Sequence, residues 1–126
     1  MENLILPSTN FTPKIVLNIN GNLNMSGISI PENVLSFYKQ IFDWFDNFIL
    51  SKPTKIIFEF DVEYLNSASS RVIITILKKL KVYCFQNTVP INIIWNYEDE
   101  DVLETGQEFA EVSELPFDYI PKPLLN

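Results

Sequence analysis

Apolar and polar positions follow two different periods along this chain. Lys14-Ile15-Val16-Leu17-Asn18-Ile19 is an apolar run of strand length. Asn22-Leu23-Asn24-Met25-Ser26 alternates polar and apolar, as a half-buried strand does. Between them stands Asn20-Gly21, a pair that tolerates positive φ and closes hairpins. An antiparallel hairpin is therefore expected, after an irregular segment 1–13 interrupted by Pro7 and Pro13. The period then becomes helical. Val34, Phe37, Tyr38, Ile41, Phe42, Phe45, Phe48 and Ile49 recur at helical spacing. They predict a helix with Pro31 in its first turn, Ser29 or Ile30 before it, and an end near Leu50, ahead of Pro53.

Residues 54–60 are apolar nearly throughout, which reads as a central strand covered on both faces. A second helix is expected over about 68–85, with Ile73, Ile76, Leu77, Leu80 and Cys84 on one face and Asn87-Thr88 as the turn after it. Ile91-Asn92-Ile93-Ile94-Trp95 is another strand. The acidic residues 98–101 open a third helix of about ten residues, ending near Ala110, because carboxylates favour the positive end of a helix dipole. Phe117-Asp118-Tyr119-Ile120 reads as a short edge strand before a proline-rich tail. The order β-β-α-β-α-β-α-β, with no internal repeat or low-complexity linker, predicts a single α/β domain. Its sheet is mixed, with an N-terminal hairpin, right-handed crossovers and helices packed on it.

Composition narrows the function. The chain has 126 residues and a net charge of −7, with Lys78-Lys79-Lys81 as its only basic cluster. That balance argues against nucleic acid, whose binding depends on clustered Lys and Arg. The lysines read as the wet face of a helix. There is no histidine, so the usual general base, the usual zinc ligand and every Ser-His or Cys-His nucleophile are missing. Three glycines and no glycine-rich phosphate loop weigh against a nucleotide-binding enzyme. The single cysteine, Cys84, excludes an internal disulfide and fits a reducing compartment; its apolar context suits inert burial. No apolar stretch approaches the roughly 20 residues that span a bilayer. The N-terminus has no signal-peptide pattern, so a cytoplasmic protein with no membrane partner is expected.

The chemistry concentrates where the second strand-to-helix handover is expected, at Tyr64-Leu65-Asn66-Ser67-Ala68-Ser69-Ser70-Arg71. Such side chains cap the orphan amides of a first helical turn. Those amides and the helix dipole also favour an anion, including a phosphoryl group. A hydroxyl here can thus be a cap, a nucleophile or a phosphorylation acceptor; Ser69 and Ser70 are the expected caps. The acidic segment, Glu98-Asp99-Glu100-Asp101 with Glu104, Glu108 and Glu111, admits a solvated helix start, a partner surface or a carboxylate site. Its spacing matches no calcium loop. Trp44, Phe45, Phe48, Trp95, Tyr97 and Phe109 read as core, whereas Tyr38 or Tyr64 at an edge would suit recognition.

The 64–71 run resembles the Tyr-Phe-Asn-Thr-Ser-Ser-Ser-Lys signature of the SiaC family of bacterial regulatory phosphoproteins. Further resemblances fall in order. They are Thr12-Pro13; Gly27-Ile28-Ser29-Ile30-Pro31-Glu32-Asn33 with Phe37-Tyr38; Trp95-Asn96-Tyr97-Glu98-Asp99-Glu100-Asp101 with Glu104, Gly106 and Phe109; and Leu115-Pro116-Phe117. The chain departs at Ser67, usually Thr, at Ala68, usually Ser, and at Asn18, usually Asp. Ser67 keeps the hydroxyl. The resemblance implies a STAS-like α/β domain and a non-enzymatic partner switch without a cofactor or metal. It implies that a dedicated kinase phosphorylates Ser67 and a PP2C-type phosphatase removes the phosphate. The unphosphorylated form would bind and activate a diguanylate cyclase, or another effector. Tyr64, Asn66, Ser69, Ser70 and Arg71 are the candidate partner-binding residues beside the acceptor. The alternatives are a small serine- or carboxylate-based enzyme, or a constitutive, unphosphorylated adaptor.

Overall fold

The computed structural model of the protein describes residues 1–123. The strands are β1 (Leu4–Leu6), β2 (Lys14–Leu17), β3 (Asn22–Ser29), β4 (Ile56–Leu65), β5 (Ile91–Tyr97) and β6 (Phe117–Pro121). The helices are α1 (Val34–Leu50), α2 (Ser67–Asn87) and α3 (Glu100–Ser113). One mixed sheet has the spatial order β1-β2-β3-β4-β5-β6, antiparallel from β1 to β3 and parallel from β3 to β6.

The β2–β3 hairpin forms where Asn20-Gly21 predicts it, but as a longer turn. The Gly21 amide donates to the Asn18 carbonyl, and Gly21 then takes φ +95°. A Cβ on Gly21 would lie 2.0 Å from the Lys55 carbonyl oxygen, so the chain passes too close for any side chain. Residues 1–13 are less irregular than expected. Leu4–Leu6 pairs with Ile15–Leu17 as an edge strand. The Trp44 indole donates to the Glu2 carbonyl, which ties the segment to α1. A three-residue strand carries too little alternation to read from sequence.

β3 to β6 succeed one another in sequence and in space, so each crossover steps in the same direction. Right-handed crossovers therefore place α1, α2 and α3 on one face of the sheet. Burial follows. Leu23, Met25, Ile56, Phe58, Phe60, Ile93 and Trp95 are buried, while the intervening Asn24, Ile57, Glu59, Asn92 and Ile94 are half-buried. β4 is central, as expected, but it is covered on one face only. Its apolar run reflects one out-of-phase isoleucine, Ile57, rather than a second layer.

Stacked and edge-on aromatics join the layers: Phe45 on α1, Phe58 and Phe60 on β4, Trp95 on β5 and Phe109 on α3 lie 4.3–5.9 Å apart, centroid to centroid, in sequence. Burying each such ring contributes roughly 1.5–3 kcal/mol. An exposed pair such as Lys79–Asp46, at 3.1 Å, contributes under about 1 kcal/mol. The core therefore dominates the stability.

Three helix boundaries differ from the sequence reading. α1 begins at Val34 with Asn33 as its cap, so Pro31 precedes the helix instead of occupying its first turn. α2 extends two residues beyond 85 and α3 runs to Ser113, each closed by a left-handed residue, Thr88 and Glu114. β6 is the parallel edge strand expected at 117–120; the last three residues of the proline-rich tail lie outside the described residues.

Candidate functional site

Because β3, β4 and β5 are parallel, the helix starts that follow them sit at the same edge of the sheet. Asn33, Asn66 and Asp99 cap α1, α2 and α3 there. Their side chains accept from the amides of Ser36 (3.0 Å), Ser69 (2.8 Å) and Val102 (3.0 Å). This is the carboxyl edge of the parallel strands, where open α/β sheets bind their ligands.

The caps of α2 are therefore not the serines. Asn66 caps, and Ser69 and Ser70 do other work. The Ser69 hydroxyl turns inward, 2.8 Å from the Ser29 hydroxyl and 3.1 Å from the Ser29 carbonyl. Ser29 in turn meets the Tyr38 hydroxyl at 2.6 Å. All three side chains are buried. Burial raises the Tyr38 phenol above its ordinary pKa of 10.0, opposed by its hydroxyl partners, so the phenol remains a neutral donor. The Asn66 amide also bonds the Ser29 carbonyl, at 3.1 Å. One β3 residue thus holds both the cap and the first turn of α2.

Ser67 occupies the first position of α2 and is exposed. As the first two amides of α2, its own and that of Ala68 have no intrahelical acceptor and stand at the positive end of the dipole. Arg71 is exposed one helical turn on, where an i, i+4 side chain can reach the helix start. Tyr64 is 59% exposed. Its position depends on a β-bulge: Gly27 pairs with Val62 but Ile28 pairs with Tyr64, leaving Glu63 unopposed. Burial alternates cleanly up to Val62, then Glu63 and Tyr64 are both exposed and Leu65 is half-buried.

The structure therefore brings Tyr64, Asn66, Ser67, Ser70 and Arg71 to one edge. It withdraws Ser69, which supports the segment and cannot offer its side chain to a partner. It also withdraws Tyr38, which is core rather than an edge recognition residue. Cys84 is buried, and desolvation lifts its thiol from 9.0 to about 11, as its apolar surroundings lead one to expect.

Beside this segment lies a groove of about 390 Å³ between α2 and α3. Ser70 and Ile74 line one wall, and Asp101, Thr105, Glu108 and Val112 the other. The sequence reading treated the acidic residues as one segment. Of these only Asp101 and Glu108 on the helix body line the groove, and with Thr105 and Val112 they form a stripe spaced four, three and four residues apart beside the core stripe of Val102, Gly106 and Phe109. α3 is held down by Trp95, whose indole donates to the Val102 carbonyl at 2.9 Å. A Cβ on Gly106 would lie 2.5 Å from that indole nitrogen.

Most residues of the ordered motifs thus serve this edge, as caps, buried hydroxyls, a glycine contact and an exposed serine, whereas Leu115-Pro116-Phe117 enters β6 at the opposite edge, where the Ile93 amide donates to the Pro116 carbonyl. Among the described residues no helix is long and apolar enough to cross a membrane. Comparison with known proteins agrees with this arrangement. A family model described as SiaC family regulatory phosphoprotein matches residues 6–122. An uncharacterized protein of Pseudomonas aeruginosa strain UCBPP-PA14 is 32% identical over 120 residues, covering 93% of this chain and 94% of the relative. The solved structure of SiaC of Pseudomonas aeruginosa is 30% identical and superposes with a TM-score of 0.88, covering 97% of this chain and 100% of that one. In a second structure the Pseudomonas aeruginosa diguanylate cyclase SiaD is in complex with its activator SiaC; that SiaC chain is 30% identical, with a TM-score of 0.87 and coverage of 94% and 99%. By sequence over nearly its whole length and by fold, the chain belongs to the SiaC family.

Proposed function

We propose that this protein is a cytoplasmic, non-enzymatic partner switch in which Ser67 is reversibly phosphorylated and the unphosphorylated form binds and activates a diguanylate cyclase. The observation that carries the proposal is the division of labour among the hydroxyls of the motif. Ser69 is 0% exposed and committed to Ser29, whereas Ser67 stands exposed at the first position of α2 beside amides with no intrahelical acceptor. A kinase can reach Ser67 without unfolding the domain. Transfer of a γ-phosphoryl group from a nucleoside triphosphate to its Oγ releases the hydroxyl proton. A PP2C-type phosphatase returns the hydroxyl by hydrolysis. Docking of a cyclase by a relative of the same fold supports the choice of partner.

The energetics suit a switch. A phosphoserine adds about −1.5 to −2 charges and three acceptor oxygens. The helix amides tolerate that dianion within the free domain. In an interface that covers the Ser67 hydroxyl, burying an unpaired dianion costs far more than burying a hydrogen-bonded hydroxyl. A tenfold loss of affinity needs only about 1.4 kcal/mol.

Two measurements test the reading. Phosphate is mapped by fragmentation mass spectrometry after incubation with the cognate kinase, and undiminished labelling of Ser67→Ala rules out the acceptor. Calorimetry then compares unmodified and phosphorylated protein against the cyclase. Equal affinities would reduce the protein to a constitutive adaptor.

A further inference from the structure

The α2–α3 groove is apolar at its floor and negative along its β4 and α3 sides. Leu65, Ile74, Trp95, Val102, Phe109 and Val112 supply the apolar lining. Glu63, Asp99, Asp101 and Glu108 supply four carboxylates, and no lysine or arginine lines it. Val112 is 45% exposed at the lip, an apolar side chain left in water beside the acids. Of the basic residues that α2 carries, Lys78, Lys79 and Lys81 stand further along the helix, Lys79 with Asp46 and Lys81 with the Glu114 carbonyl, and Arg71 stands exposed beside Ser70 without lining the groove. Lys122 pairs with Asp61 and lies within electrostatic reach of Glu63 at one end, whereas Asp101 and Glu108 on α3 have no ion-pair partner among the described residues.

We infer that this groove is a docking site for a basic amphipathic helix of a protein partner, whose aliphatic side chains fill the α2–α3 cleft while flanking Lys or Arg side chains pair with the acidic rim. α3 lines the groove from Asp101 to Val112 and α2 closes it through Ser70 and Ile74, so a helix laid along α3 can send i, i+3, i+4 and i+7 anchors into it. The charge selects among occupants. A second copy of this chain, at net charge −7, would bring more carboxylates to the rim. A cationic helix gains on-rate and specificity there, because complementary charge steers encounter and penalises wrong partners. The groove adjoins the switch segment through Tyr64, Leu65 and Ser70, yet its recognition needs no phosphate and stands whichever hydroxyl is modified.

The probe is a pair of synthetic helical peptides of about 18 residues, with leucines at i, i+3, i+4 and i+7. One has Lys and Arg on its flanks, and the other has Glu. Binding is followed by amide chemical shifts of the full-length protein and by calorimetry at low and high salt. The basic peptide is expected to shift Leu65, Ser70, Ile74, Thr105 and Val112 and to weaken as salt rises. The acidic peptide should not bind. Asp101→Lys with Glu108→Lys should weaken binding at least about tenfold. Glu104→Lys with Glu111→Lys, the same charge change on α3 outside the groove, should alter it by less than about threefold. Asp101→Lys places a cation in the first turn of α3 and should lower the melting temperature modestly, so binding is compared at a temperature where every variant is folded. Equal binding of both peptides, no binding of either, or shifts confined to the open sheet face or the α1–α2 surface would overturn the inference. So would concentration-dependent shifts of the groove residues in the free protein, which would assign the groove to a second copy.

Discussion

The side-chain hydroxyl of Ser29, at the end of β3, lies 2.8 Å from that of Ser69, forty residues later in the first turn of α2. The contact is buried, and Tyr38 closes it from α1 at 2.6 Å. Among the described residues no buried side-chain polar atom lacks a partner, so the network is fully satisfied. Removing a member that strands another is therefore the expensive change.

Ser29→Ala removes the hydroxyl that meets both Tyr38 and Ser69. It is expected to cost about 1–3 kcal/mol, because the Tyr38 phenol is left buried and poorly paired. Tyr38→Phe leaves Ser29 with Ser69 and should cost only about 1 kcal/mol. Urea unfolding of the two variants should preserve this ranking, and the reverse order would show that ring packing, not the hydrogen bond, dominates.

Asn66→Ala should lower stability by roughly 0.5–2 kcal/mol, and Asn66→Ser by much less, since serine also caps. The neighbouring serines cannot compensate: Ser69 is tied to Ser29, and Ser67 already lies inside the helix. Ser67→Ala, at an exposed site, should change stability by less than about 0.5 kcal/mol. That makes it a clean control for binding measurements.

Gly106→Ala sets two effects against each other. Helix propensity favours alanine by about 1 kcal/mol. The new Cβ, however, would stand 2.5–2.7 Å from three atoms of the buried Trp95 indole. Overpacking of this kind costs about 1–3 kcal/mol, so the net effect should be destabilising. A raised melting temperature would mean that α3 lifts away from Trp95 without penalty.

Alkaline stability should carry the mark of Cys84. Its thiol is neutral when protonated, and burial raises its pKa from 9.0 to about 11 in the folded state. Above pH 9 the unfolded chain loses this proton first, so the stability contributed by the neutral thiol declines as pH climbs from 9 to about 11. Cys84→Ala should flatten this part of a stability–pH curve measured by urea unfolding. An unchanged slope would place the alkaline sensitivity in the tyrosines.

The β4 amides from Ile56 to Phe60 should be among the slowest to exchange with deuterium. They pair with β3 on one side and β5 on the other beneath the aromatic tier. Rapid exchange there in folded protein would contradict a central position for β4.

Much of this architecture was legible because it is local. Helical recurrence of Ile73, Ile76, Leu77, Leu80 and Cys84 identified the buried face of α2, since each of these side chains points the same way once the helix forms. Strand-like runs separated by helices implied parallel pairing and its crossovers, and the 64–71 motif placed Ser67 at a helix start. Choices between distant partners were not legible. Ser69 could cap by local chemistry; it is buried because Ser29 waits on the neighbouring strand. Tyr64 continues an inward phase until the bulge opposite Gly27 and Ile28 shifts the register. Leu4–Leu6 becomes a strand only because β2 offers an unpaired edge. Asp101, Thr105, Glu108 and Val112 of α3 become one wall of a groove only because Gly106 seats that helix on Trp95 beside α2. Periodicity and capping act over a few residues, whereas these outcomes depend on which surfaces the chain brings together from forty residues away.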